Sequence, residues 1–197
     1  SFLEYVCAIV LPSPQTSDYS LSIIGQSLMR MGDEWRGYLV LRSVLLSGNL
    51  DDREQANALA WVSKAALTRI EDLMMKSHQR AATEQIAQFL NTFAKILSVG
   101  NQSSEDKEMR WSLYYINLRL GRIMMLASSM AGSSNSIYAE QAVNLLLKTI
   151  ELVPEKPDGY KFLRPLLNDK QSPKYSESRW LKLIDDAPEG IRKKFAS

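Results

Sequence analysis

Between residues 51 and 98, apolar side chains recur at helical spacing over two long stretches, which constrains the chain to helix-on-helix packing. Asp51 and Glu54 stand three apart, the arrangement of a capping box. Ala56, Leu59, Ala60, Ser63, Leu67, Ile70 and Met74 then follow one helix face. The pattern pauses at Ser77 and His78 and resumes with Ala82, Ile86, Phe89, Leu90, Phe93, Ile96 and Leu97, up to Gly100. Two long helices with a short break predict an antiparallel hairpin. The alanines on its first helix let a neighbouring helix approach closely.

The same reading extends in both directions. Asp18 is placed to cap a helix over about residues 19–31 with Leu21, Ile24, Leu28 and Met31 on its apolar face. Gly32 ends it, and Asp33 starts another that runs through Trp35, Tyr38, Leu39 and residues 41–46 to Gly48. The run YLVLRSVLL also suits a strand, but its flanks carry helix start and stop signals. Ser104 offers a cap, and Glu105 and Asp106 negative charge at the dipole's positive end, for a helix over about 105–131, apolar in nearly every direction and hence read as the central element. After the loop GSSNS, a helix carries Ala139, Ala142, Val143, Leu146, Ile150 and Val153, and Pro154 closes it. A helix over 158–167, broken or kinked at Pro165, and a last short one with Trp180, Leu181 and Ile184 follow.

The fold class is therefore all-α, built from stacked antiparallel helix hairpins, with an irregular helical bundle as the alternative. Residues 1–197 are read as one domain, with an apolar segment and loop over 1–17, hairpins over 18–153 and less regular helices over 154–197. Val6, Ile9 and Val10 fit a short strand as well as a helix turn. From the start at Ser1, not methionine, a fragment of a longer chain is expected. Residues 1–12, SFLEYVCAIVLP, lack the basic leader of a signal sequence and contain Glu4. No segment has the roughly 18 uninterrupted apolar residues of a membrane span. Cys7 has no second cysteine to pair with, which favours a reducing compartment, cytoplasmic or nuclear.

Two parts of the sequence look like a repeat. LRLGRIMMLA, residues 118–127, followed by AEQAVNLLLKTIELVPEKPDGY, residues 139–160, resembles a tetratricopeptide-type repeat. Leu120 and Gly121 match the Leu-Gly pair of that family's first helix, and Ala142 and Pro154 match the second-helix alanine and the closing proline. Leu146 sits where the family usually carries an aromatic residue. The resemblance implies a right-handed solenoid that binds a peptide or subunit on a curved helical surface.

Counting excludes most chemistry. Cys7 and His78 are the only cysteine and histidine, too few for a zinc site or for the two Glu-x-x-His pairs of a di-iron bundle. A nucleophilic triad would have to use His78, which falls in a turn with no motif around it. There is no phosphate loop or dinucleotide fingerprint, and most glycines are read at helix ends. Asp51 with Asp52 and Asp185 with Asp186 lie at helix boundaries, where capping explains them. No enzyme, metal or cofactor is expected.

The expected function is instead a protein-interaction or scaffold module, with a protein or peptide as partner. Trp111, Tyr114, Tyr115, Arg119 and Arg122 form an aromatic and basic helix face; core filling explains most of it, and Tyr115, Arg119 and Arg122 are the candidate contacts. On the repeat reading, Tyr115 and Arg122 lie toward the inner face. A less favoured alternative is a nucleic-acid binder using Arg119 and Arg122 with Arg179, Lys182, Arg192, Lys193 and Lys194 near Trp180. The overall charge of +2 is too small to signal a nucleic-acid or membrane partner. A third reading, a ligand-binding bundle, would use Met124 and Met125 to line a cavity.

Overall fold

The computed structural model describes residues 17–93, 105–131, 136–167 and 177–195. Among these residues the regular structure is nine α-helices and no strand. They are α1 (Asp18–Arg30), α2 (Glu34–Ser47), α3 (Asp52–Met75), α4 (Gln79–Phe93) and α5 (Lys107–Ala131). After these come α6 (Ser136–Leu152), α7 (Pro157–Leu167), α8 (Glu177–Asp185) and α9 (Glu189–Phe195). The strand-or-helix question over residues 4–11, the end of the 79–98 helix and the capping role of Ser104 lie outside the described residues.

Side-chain caps start the helices, each satisfying one backbone N–H that has no intrahelical partner. Asp33 Oδ1 accepts from Arg36 N at 3.2 Å, Asp51 Oδ1 from Glu54 N at 2.8 Å and Asp106 Oδ1 from Met109 N at 2.7 Å. At α1 the cap is Ser17, whose Oγ accepts from Ser20 N at 3.2 Å, and not Asp18. Asp18 is the first helical residue, and its carboxylate accepts from Ser47 Oγ and Asn49 Nδ2, both at 2.7 Å. Those bonds tie the start of α1 to the end of α2 and hold the Asp18 carboxyl below the usual range.

The turn between α3 and α4 is closed by backbone bonds. Ser77 N donates to Met74 O at 3.0 Å and His78 N to Leu73 O at 2.8 Å, the two bonds of a Schellman motif. The motif places Ser77 at φ +60°, a region that disfavours a side chain. Ser77→Gly should therefore stabilise the protein by about 1 kcal/mol, raising Tm by about 2–4 °C. Thermal denaturation checks this; a lower Tm would show that the serine compensates for its backbone.

The helices pack in chain order. Among the described residues, substantial packing joins only helices one or two places apart in sequence. α5 lies against α3 and α6 most extensively, as expected of the central element, but α3 shares that position by packing on α1, α2, α4 and α5. Its fully buried Ala56 and Ala58, with Leu59 and Val62, allow so many neighbours to approach. One apolar core runs from Met29 in α1 to Phe195 in α9.

Several details depart from the sequence pattern. Met31 falls just past α1 and is exposed; the buried face of α1 instead includes Ser22, Gly25, Gln26 and Met29, with Leu28 as expected. The polar members are kept by a network in which Gln26 Nε2 donates to Ser22 Oγ at 3.1 Å and Asn57 Nδ2 to Gln26 Oε1 at 3.3 Å. α7 continues through Pro165 to Leu167. The single C-terminal helix is two, with Pro188 between them, and Leu181 points outward while Trp180 and Ile184 are buried.

The glycines are the largest departure. Gly25, Gly37 and Gly121 lie inside helices at close crossings, and Gly159 makes such a crossing from the first turn of α7. A Cβ on Gly25 would sit 2.7 Å from Leu41 Cγ, and one on Gly159 would sit 2.7 Å from Ile150 Cγ1. Each contact is tighter than a side chain tolerates, so glycine sets the helix separation.

Candidate functional site

Helix α2 carries apolar residues on two nearly opposite faces. Gly37, Leu41, Val44 and Leu45 are buried, and on the other side Trp35, Leu39 and Leu46 follow helical spacing in solvent. Trp35 is 68% exposed and Leu39 42%. Tyr38 stacks on Trp35, with ring centroids 5.9 Å apart and an interplanar angle of 16°.

This second face forms one wall of a groove of about 840 Å³. α3 is the floor, through Ala65, Ala66 and buried Ile70, and α4 is the far wall, through Gln85, Gln88 and buried Phe89. Met75, 81% exposed at the end of α3, stands at one edge. The small alanines keep the floor low between the two walls. Apolar residues and polar or charged ones share the lining about equally.

The charged residues around the groove differ in how they are satisfied. Glu34 pairs with Lys64 at 3.5 Å, and Asp72 with Lys76 at 2.9 Å and Arg69 at 3.6 Å. Glu71 forms an ion pair with Arg122 of α5, whose guanidinium also lies 4.6 Å from the centroid of the Phe162 ring. Arg42, half-buried beside Tyr38, makes no hydrogen bond or ion pair among the described residues.

No family model, curated protein or solved structure matches the chain. The site therefore has to be read from its own chemistry.

The three expected contact residues on α5 lie together but are largely engaged within the protein. Tyr115 is 41% exposed, and the Arg119 guanidinium lies 4.9 Å from its ring centroid. Arg119 reaches back to donate to the Ala60 carbonyl of α3, and burial lowers its pKa to about 10. Arg122 reaches the groove only through Glu71. Trp111 and Tyr114 pack edge to face, and the Tyr114 hydroxyl donates to Asp158 Oδ2 at 3.0 Å, so these aromatics largely fill space between hairpins.

Arg179 and Lys182 stand exposed on α8, and Arg192, Lys193 and Lys194 stand exposed on α9, which packs against α8. Lys193 pairs with Glu189 at 2.6 Å. Met124 is buried and Met125 half-buried against the core; neither lines the groove. Among the described residues, no cluster of His, Cys, Asp and Glu is arranged to hold a metal. None of their helices is long and apolar enough to cross a membrane.

Sequence reasoning placed Trp35, Tyr38 and Leu39 in a helix but not at a site. The signal was present, because α2 carries more apolar residues than one face can bury. Arg42 and Met75 carried no such signal, since their surroundings come from α3 and α4.

The buried tyrosines give the fold an alkaline limit. Burial raises the pKa of Tyr114, Tyr160 and Tyr38, helped by Asp158 at Tyr114 and by Glu155 at Tyr160, and opposed by Arg42 at Tyr38. The folded state then holds protons that the unfolded chain releases above about pH 10, so stability falls as pH rises past that point. Arg119 has the opposite sign, because its folded value is the lower one. With three tyrosines against one arginine, Tm should drop above about pH 10. Tyr114→Phe should flatten the drop; an unchanged slope would exclude Tyr114 as a contributor.

Proposed function

We propose that this chain is a non-catalytic interaction module, a tetratricopeptide-like stack of helical hairpins that binds a peptide or subunit in the groove between α2 and α4. The observation that carries this reading is the exposed second face of α2. Trp35 and Leu39 stand in solvent beside a low floor, although a folded chain gains by burying such side chains. Nearest-neighbour packing of the hairpins supports the repeat-like array. Gly121 supports it too, since it lets α5 meet α6 at Leu146 within the segment that resembles a repeat.

Both wall residues are exposed, so changing them should leave folding within about 0.5 kcal/mol of wild type. In a contact they are anchors, and the double variant Trp35→Ala, Leu39→Asp should cost about 2 kcal/mol or more of binding, roughly 30-fold. Affinity capture with the intact chain and with this variant, quantified by mass spectrometry, tests the proposal. Specific proteins should be recovered with the first and lost with the second. An identical set from both would overturn the groove reading, and small-molecule turnover with no partner recovered would overturn the interaction reading.

A further inference from the structure

The groove has an unanswered charge as well as an unanswered apolar face. Its carboxylates, Glu34, Glu71 and Asp72, are each paired with a cation of the protein itself. Those partners are Lys64, Arg122, Lys76 and Arg69, and Arg42 adds a further cation. Among the described residues these three carboxylates are thus answered from within the protein, whereas the Arg42 guanidinium on the groove wall has no acid beside it. It occupies the position one turn beyond Leu39, on the same α2 face as Trp35, Leu39 and Leu46. A cation half-removed from water there is best satisfied by a carboxylate from outside, because a bidentate Arg–carboxylate pair gives both charge and geometry.

We propose, building on the groove reading above, that the occupant is an amphipathic protein helix with an aspartate or glutamate about one turn from its bulky apolar residues. The apolar side chains cover Trp35 and Leu39 over the Ala65–Ala66 floor, and the carboxylate meets Arg42. A helix suits this seat because the walls are themselves helices flanking a third, which leaves a channel for ridges to pack into.

The test uses the full chain as bait for a phage-displayed library of helical peptides randomised along one face. Selected peptides should carry an acid one turn from a bulky apolar residue. Arg42→Glu should weaken them by about tenfold or more, and replacing their acid with lysine should restore binding to that variant. Arg42→Gln, which adds no new charge, should weaken them less, and circular dichroism should show both variants folded. Selected peptides that are neutral or basic, and unaffected by Arg42→Glu yet lost on Leu39→Asp, would overturn the acidic partner and leave the groove standing. Peptides indifferent to Leu39→Asp, or no selected peptides at all, would overturn the groove reading as well. A labelled poly-uridine probe that binds, and is lost with Arg42→Glu, would overturn the peptide in favour of nucleic acid.

Discussion

Gly37→Ala should destabilise the protein by about 2 kcal/mol, although the same change in an exposed helix stabilises. The added methyl would lie 2.6 Å from Met29 Cγ and 2.8 Å from the carbonyl oxygen of Gly25. Met29 could swing aside, but the carbonyl belongs to the backbone of α1 and moves only if the helices separate. That overpacking costs about 3 kcal/mol, and helix propensity returns about 1. Tm should fall by about 4–8 °C in thermal denaturation. Trimming the flexible neighbour in Gly37→Ala, Met29→Ala should not restore stability. Recovery in that double variant would show that the side chain, and not the backbone, was the obstruction.

The second large effect is at the α5–α6 crossing, where the obstruction is a side chain alone. Leu146 is fully buried and its Cγ would lie 2.9 Å from a Cβ on Gly121. Leu146→Ala should cost about 3 kcal/mol through lost burial and the cavity left behind. Gly121→Ala should cost about 1–2 kcal/mol. In the double variant the new methyl occupies part of the vacated space, so the two costs should not add. A double-mutant cycle by urea unfolding should give a favourable coupling of about 1 kcal/mol or more. Strict additivity would mean that α6 already yields at Leu146.

These two crossings show what could be read from residues alone. Helix starts are local chemistry, and Asp33 and Asp51 cap as their positions suggest, while at α5 the cap is Asp106, which was expected inside the first turn. The break at Ser77 and His78 and the enclosed character of α5 are likewise written in spacing. A glycine inside a helix gives no local sign that another helix crosses it, so Gly25, Gly37 and Gly159 were not anticipated as contact points. Ser17 replaces Asp18 as cap because Asp18 has partners 29 and 31 residues away, which no local pattern reveals. At the candidate site, the excess of apolar residues on α2 was legible. That no acid among the described residues meets Arg42 was not, because it depends on which cations the neighbouring acids choose.

The order of the helix packing bears on how the chain acquires its structure. Because each helix rests on those just before and after it, forming a contact closes only a short loop, and little chain entropy opposes it. Such sequence-local topologies fold quickly. Each helix can also settle during synthesis as soon as the next one or two have left the ribosome, with no wait for distant segments.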